Sequence, residues 1–230
     1  MYRCVKQQVV ANMPNTNSQP NIVGWNDINW RKVERYVFKL QKKIYAASRR
    51  GDVRKVRKLQ KTLMSSWSNK VLSVRKVTQD NRGRKTAGVD GAKSLSPEER
   101  LKLVGQLKVT GKSNPTRRVW IPKPGTEEER PLGIPTIHDR ALQNVVKTAL
   151  EPEWEALFEP NSYGFRPGRS CQDAICQIKN SIQNSPKFLL DADIAKWFDR
   201  INHLALLQKL GYKGKIRQQI KAWLKSGVID

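Results

Sequence analysis

The stretch that decides the fold is KFLLDADIAKWFD, residues 187–199. Its apolar start predicts a buried strand over residues 187–194. Because side chains alternate along a strand, Asp191 and Asp193 would point to the same face. A buried carboxylate is costly unless it meets a cation, a hydrogen-bond donor or solvent. The pair is therefore either a candidate metal site or a capping or salt-bridged pair.

Phosphoryl transfer gives a chemical reason to keep a carboxylate at the end of such a strand. Two Mg²⁺ ions about 3.5 to 4 Å apart activate the attacking hydroxyl and stabilise the leaving oxygen. Magnesium takes hard oxygen ligands, and carboxylates are the usual ones. On this chemistry, Asp193 is a candidate magnesium ligand.

Helical patterns occupy most of the chain around this stretch. Apolar residues recur three and four positions apart, Gly51 ends the first helix, and Ser96 and Ser170 are placed as N-caps. Pro152 either closes its helix or bends the segment after it. Predicted helices cover residues 27–50, 53–71, 97–107, 139–150, 171–182, 204–210 and 215–223. Residues 1–24 are polar and punctuated by proline, which predicts a flexible tail.

A β-hairpin is predicted between residues 117–125 and 130–135. The first arm, RRVWIPKPG, is rich in strand-forming residues and ends in a Pro-Gly turn. The second arm, RPLGIP, would return beside it. Basic residues lie on both arms, while the short tip contains three glutamates.

The net charge indicates a polyanionic partner. The chain has 44 Lys and Arg against 20 Asp and Glu, a formal charge of +24. Residues 31–85 alone hold 19 of the basic residues and 3 of the acidic ones. Such a field concentrates nucleic acid and makes binding sensitive to salt. The second predicted helix would present its basic residues to phosphates; the alternative is a solvated outer face. These residues are Arg54, Lys55, Arg57 and Lys58.

Cysteine usage and hydropathy indicate a cytoplasmic protein without a membrane partner. Cys4, Cys171 and Cys176 lack the paired spacing of a zinc site, and we expect them to be reduced thiols. No run approaches the roughly 18 apolar residues that a membrane helix needs. The first 20 residues are too polar for a secretory signal.

Residues 187–199 resemble motif A of reverse transcriptases in the form found in group II intron proteins. Three further blocks resemble that family in the same order: the GVDG sequence at 88–91, the hairpin at 118–135 and YGFRPGRS at 163–170. The resemblance spans residues 25–230. It implies an α+β fold of four parts. These are a flexible tail (1–24), a basic helical region (25–75), fingers with the β-hairpin (76–186) and the beginning of an incomplete, truncated palm (187–230).

The resemblance also implies roles for single residues. Asp193 would be the catalytic, metal-binding aspartate, and Ile194 would offer its carbonyl oxygen to the second Mg²⁺. Phe198 would lie under the sugar and exclude a ribose hydroxyl. Lys123 and Arg130 would hold the triphosphate of a dNTP; ordinary surface charge is the alternative for both. Asp191 and Asp199 would be structural, and Trp197 departs from the small residue usual in relatives.

Nucleic-acid contacts are implied for the hairpin and for the YGFRPGRS block. The partners would be group II intron RNA and an RNA/DNA template-primer. For Arg166 and Arg169, the alternative is a loop that anchors the following helix. The implied contact residues here are Arg117, Arg118, Arg166 and Arg169.

The Tyr-Ala-Asp-Asp turn that completes the metal site in this family does not occur in the 230 residues. We therefore expect the chain not to polymerise DNA alone. Three interpretations stay open: a polymerase fragment that is inactive alone, from a truncated or split gene or an artificially shortened one, a stand-alone RNA-binding splicing module, or a degenerate, truncated gene product. In the first, a second polypeptide would complete the palm.

Overall fold

The computed structural model describes residues 24–183, 185, 187–195 and 197–230, without the side chain of Asp199. Within these residues the chain is mainly helical and contains one small mixed sheet of three strands, which confirms the expected α+β class. The predicted tail, apart from Gly24, and Cys4 fall outside the described residues. No helix in the described part is long and apolar enough to cross a membrane.

The first two helices are α1 (Trp30–Arg49) and α2 (Val53–Ser65). The turn between them contains Gly51 at φ +69°, a left-handed conformation that glycine adopts without strain, so the predicted break is confirmed. The Asp52 side chain then caps α2 by accepting a hydrogen bond from the Lys55 amide. The apolar stripe of α1 is buried: Val33, Val37, Leu40, Ile44 and Ala47.

The prediction of a single helix over 53–71 is wrong. The chain breaks at Ser66, whose backbone is extended (φ −68°, ψ 137°), and α3 (Trp67–Arg75) follows. The Ser66 hydroxyl accepts a hydrogen bond from the Asn69 amide at 3.2 Å and so caps α3. The apolar spacing continues across this break, which is why the pattern alone does not show it. A π-helical turn extends α3 over Lys76–Asp80.

The next elements are α4 (Pro97–Gln106) and the strands β1 (Thr116–Pro122) and β2 (Glu129–Ile134). The Ser96 cap is confirmed, because Ser96 and Glu99 form a reciprocal capping box. The antiparallel hairpin is also confirmed. A short third strand, β3 (Val228–Ile229), pairs parallel with β1, and the sheet order is β2-β1-β3.

Helix α5 (Ile137–Glu155) packs against α1, α2 and α3. Its buried face includes Ala141, Leu142 and Val145. Pro152 lies inside the helix and does not close it. Proline cannot donate to the carbonyl four residues earlier. That carbonyl, of Thr148, instead accepts a hydrogen bond from the Gln41 side chain at 3.1 Å.

The remaining elements are α6 (Cys171–Ile182), α7 (Trp197–Arg200), α8 (His203–Leu210), α9 (Gly214–Leu224) and β3 (Val228–Ile229). The predicted helices at 171–182, 204–210 and 215–223 are confirmed within one residue at each end. Ser170 caps α6 together with Asp173. Gly211, at φ +64°, ends α8.

The predicted buried strand at 187–194 is wrong. These residues have no regular secondary structure, and Phe188, Leu189 and Leu190 are almost fully exposed. A strand in the interior of a sheet needs a neighbour for its backbone hydrogen bonds, and the described residues place none beside this stretch. The isoleucines of the preceding helix, at 175, 178 and 182, are more than half exposed as well.

Candidate nucleic-acid and nucleotide site

Helix α2 buries most of its apolar residues and exposes most of its basic ones. Val56 and Leu63 are buried in the core, whereas Arg54, Lys55 and Lys58 are exposed. Lys58 follows Lys55 by three positions and Arg54 by four, so the three side chains are neighbours on the helix surface. No carboxylate among the described residues lies within ion-pairing distance of these three side chains. We call this surface the α2 basic face.

Arg57, predicted to belong to the same surface, is placed differently. Its guanidinium donates to Glu153 Oε2 at 2.8 Å and to Gln60 Oε1 at 3.1 Å. The same group lies 4.0 Å from the centre of the Tyr212 ring. Arg57 is thus half-buried and holds α2 against α5 and the loop between α8 and α9.

Glu153 is the centre of this buried network. Besides Arg57, its Oε2 accepts hydrogen bonds from Gln60 Nε2 and from the Tyr212 hydroxyl, both at 2.6 Å. Burial, followed by the hydrogen bond to Glu153, raises the pKa of Tyr212 to about 12. None of these contacts was predicted from the sequence. The available signal was an acid on the buried stripe of α5, four residues after Ala149, since such an acid needs a partner.

The hairpin brings the two predicted triphosphate ligands together. Arg130 pairs with Ile121 across the two strands. Lys123 follows Ile121 by two residues, and its backbone N–H donates to the Glu128 carbonyl oxygen at 2.8 Å, which continues the antiparallel pairing past Pro122. Alternation of side chains then places Lys123 and Arg130 on one face of the hairpin. The Lys123 ammonium pairs with Glu128, and this hydrogen bond lowers the pKa of Glu128. Arg130 is exposed, and no acid partner lies within ion-pairing distance in the described part of the chain.

Arg117 and Arg118 point to opposite faces of β1. Arg117 is exposed, and strand alternation places it on the face of Lys123 and Arg130. Arg118 is half-buried, 3.4 Å from Asp230 and 5.6 Å from the Trp120 ring centre. The predicted nucleic-acid contacts of both arginines stay predictions.

The GVDG block packs against the end of the hairpin. A Cβ on Gly88 would lie 2.8 Å from the backbone of Thr136, closer than any side chain can approach. Arg140, in the first turns of α5, donates to the carbonyl oxygens of Gly83 at 2.9 Å and Thr86 at 2.6 Å. These contacts fix the 83–91 segment beside the N-terminus of α5.

Arg166 has the contacts of a loop anchor. Its guanidinium forms a two-bond pair with Glu155, at 3.0 and 2.6 Å, and donates to the carbonyl oxygens of Glu159 and Ser162. The Glu155 hydrogen bond is the main reason that its pKa is raised. Arg169 is only partly buried and donates to the Pro160 carbonyl. The anchoring alternative accounts for these contacts, and the nucleic-acid role of both arginines stays a prediction.

The predicted catalytic segment is open to solvent. Asp193 Oδ1 accepts a hydrogen bond from the Ile194 amide at 2.8 Å, and Phe198 is 82% exposed. No hydrogen bond or ion pair in the described part of the chain joins Asp193 to the hairpin. Among these residues no three metal-binding side chains cluster together. The carboxylate and the Ile194 carbonyl are oxygen donors of the kind that Mg²⁺ takes.

Two family models match consecutive parts of the chain. One describes the N-terminal domain of reverse transcriptase and matches residues 25–107. The other describes reverse transcriptase (RNA-dependent DNA polymerase) and matches residues 121–229. Together they include α1 to α9, β2 and the segment that contains Asp193, while most of β1 lies in the unmatched stretch between them.

Curated proteins from bacteria and a protist are similar to the chain. Group II intron-encoded protein LtrA of Lactococcus lactis subsp. cremoris is 36% identical over 156 residues, which is 65% of this chain and 26% of that protein. Maturase-like protein 1 of Euglena gracilis is 32% identical over 195 residues, which is 79% of this chain and 41% of that protein. Protein YkfC of Escherichia coli K12 is 33% identical over 168 residues, which is 67% of this chain and 44% of that protein. The chain thus spans less than half of each relative.

Proposed function

The chain belongs to the reverse transcriptase family, among the proteins related to group II intron maturases, and on that basis we propose that it binds RNA through the α2 basic face. The RNA would be the intron or the template of a template-primer pair. Family membership supplies the class of partner, and the position of α2 supplies the surface.

The observation that carries this proposal is the exposure of Arg54, Lys55 and Lys58 on a rigid helix. Their positive charges are uncompensated within the described residues, while the opposite side of α2 is anchored in the core. A rigid group of cations on one helix surface binds the phosphate backbone without reading sequence. Arg57 is left out, because its guanidinium is already held by Glu153.

Replacing Arg54, Lys55 and Lys58 together by Gln tests the proposal. We expect the Kd for a short RNA to rise about 30-fold, and the slope of log K against log salt to become shallower by about 2, because up to three phosphate contacts are lost. Fluorescence anisotropy with labelled RNA over a range of KCl concentrations measures both.

The matched control is the triple Gln variant of Lys102, Lys179 and Lys209, which are exposed lysines on α4, α6 and α8. It removes the same charge and should change the Kd by less than about threefold, since only general attraction is reduced. Equal effects of the two triple variants would contradict a localised RNA surface on α2.

A second candidate function, dNTP binding, is favoured by the shared face of Lys123 and Arg130. A guanidinium and an ammonium on one face suit a triphosphate, the first as a planar fork and the second as a point charge. The Glu128 carboxylate holds Lys123 at this face, and the triphosphate would replace it as the partner of the ammonium.

Substituting Arg130→Gln should raise the Kd for a fluorescent dNTP about tenfold, because a charge-assisted hydrogen bond is lost. Arg50→Gln, an exposed arginine far from the hairpin in sequence, is the control and should leave the Kd unchanged. If the wild-type chain binds RNA but no dNTP, the stand-alone RNA-binding interpretation gains over the polymerase one.

Polymerisation would need Mg²⁺, as it does in the family. Asp193 and the Ile194 carbonyl oxygen would supply the ligands on one side of the two Mg²⁺ ions, and the bound metal would activate a primer hydroxyl. One carboxylate cannot hold two ions in register, so these 230 residues would bind RNA and dNTP, and extending a primer would need further metal ligands from outside them. Phe198 would then select against a ribose hydroxyl.

A further inference from the structure

A cavity of about 760 Å³ opens between α2, α3, α5 and the loop that joins α8 to α9. Its floor is apolar and includes Met64, Leu107, Leu142 and Val145. The volume is within the usual range of sites that bind a small organic group. Neither the α2 basic face nor the hairpin accounts for it.

Six of the side chains that line this cavity are cationic. One arginine and five lysines line it, and no acidic residue does: Arg57, Lys61, Lys70, Lys108, Lys213 and Lys215. None of the five lysines has a carboxylate within ion-pairing distance in the described part of the chain. Burial, followed by the charge of Lys108, lowers the pKa of Lys70. Cations that repel one another around an apolar floor are stabilised by an anion with an apolar body.

We propose that this cavity takes one unpaired nucleotide of a bound RNA, with the base on the apolar floor and its phosphates on the lysines. This inference rests on the proposed RNA binding by the α2 basic face. The two surfaces are continuous, because Lys61 is one helical turn beyond Lys58 on the same side of α2. An RNA held on the α2 basic face therefore passes the mouth of the cavity.

The shape of the cavity selects an unpaired nucleotide over a duplex. In A-form RNA the bases are stacked and their faces are covered, whereas a bulged or single-stranded nucleotide can turn its base outward. The wall also offers Arg57, whose planar guanidinium lies against the Tyr212 ring. Arginine planes of this kind are common stacking partners of unstacked bases.

The test compares two RNA duplexes of equal length, one with a single-nucleotide bulge and one without. Wild-type protein should bind the bulged RNA about tenfold more tightly, the usual effect of stacking one base on a protein. The Lys70→Gln/Lys108→Gln variant should lose that preference and keep its affinity for the plain duplex within about twofold. Lys179→Gln/Lys209→Gln, with the same charge change, should keep the preference.

A second arm locates the nucleotide directly. With 4-thiouridine at the bulge, ultraviolet crosslinking and mass spectrometry should find the adduct on a residue that lines the cavity, at Met64 or Tyr212. Filling the cavity by Val109→Trp should abolish that adduct while thermal melting is retained. Crosslinks confined to the α2 basic face or the hairpin would overturn the inference, as would a wild-type protein with no preference for the bulge.

These outcomes separate the inference from the proposal on which it rests. If the triple Gln variant of the α2 basic face binds both RNAs like wild type, the proposed RNA surface fails. If the triple Gln variant binds both RNAs more weakly and by the same factor, but the Lys70→Gln/Lys108→Gln variant keeps the preference for the bulged RNA, only the cavity assignment fails. Tighter binding of free AMP or of an acidic peptide than of the bulged RNA would also overturn it.

Discussion

Replacing Glu153 by Ala should lower the free energy of unfolding by about 3 kcal/mol, a loss typical of a partly buried ion pair from which one partner is removed. The carboxylate accepts hydrogen bonds from Arg57, Gln60 and the Tyr212 hydroxyl. Without it, the guanidinium keeps its charge beside the Tyr212 ring, and Gln60, fully buried, loses its shortest hydrogen bond. Urea denaturation with an unchanged m value measures the loss.

Glu151→Ala is the matched control for this prediction. Glu151 lies on the same helix and pairs with Lys147 at 3.3 Å, four residues earlier; the Lys147 side chain is 61% exposed and the Glu151 side chain 26%. Pairs four residues apart on a helix surface contribute about 0.3 to 0.5 kcal/mol. Equal losses for the two variants would show that the Glu153 network contributes no more than a surface pair does.

Replacing Gln219 by Met should also cost about 3 kcal/mol. Its fully buried amide accepts from the amides of Thr110 and Gly111, at 3.1 and 2.9 Å, and donates to the carbonyl oxygen of Lys112 at 2.6 Å. Methionine keeps the volume but leaves three backbone groups without partners, each at a cost of about 1 kcal/mol or more. Denaturant unfolding measures the total.

Hydrogen exchange adds a local readout for the same variant, because the amides of Thr110 and Gly111 should lose protection first. Gln218→Met is the control, since that side chain is exposed and makes no hydrogen bond within the described residues. Its cost should stay below about 0.5 kcal/mol, as for ordinary surface substitutions. If Gln219→Met lowers the free energy of unfolding only slightly, water must replace the Gln219 side-chain amide as the hydrogen-bond partner of residues 110–112.

The helix caps were predictable because their signals are local. Ser96 and Ser170 each stand three residues before an acid, and the reciprocal hydrogen bonds form within one turn. Ser66 carries the same type of cap without the acid, and the apolar spacing runs on through it. The apolar pattern therefore predicts a single helix, whereas the Ser66 hydroxyl caps the start of a second one, α3.

The errors and omissions have a common physical origin in contacts between distant residues. The apolar residues at 187–194 satisfy the local criteria for a strand, but a strand exists only beside another, and its neighbour is not encoded in its own composition. The partner of Glu153 is 96 positions away at Arg57, and no local pattern links them. The hairpin was predicted correctly because its two arms are adjacent in sequence. Its register and the hydrogen bond from the Lys123 amide to the Glu128 carbonyl oxygen then place Lys123 and Arg130 on one face.

The parallel pairing of β1 with β3 also imposes an order of events during synthesis. Thr116 donates its hydroxyl hydrogen to the carbonyl oxygen of Gly227, 111 positions later. At ribosomal rates of roughly 5 to 20 residues per second, about 5 to 20 s separate the appearance of the two. During that interval the hairpin edge has no neighbour, and other nascent chains compete for it. Folding yield should therefore depend on how quickly the ribosome reaches residue 228.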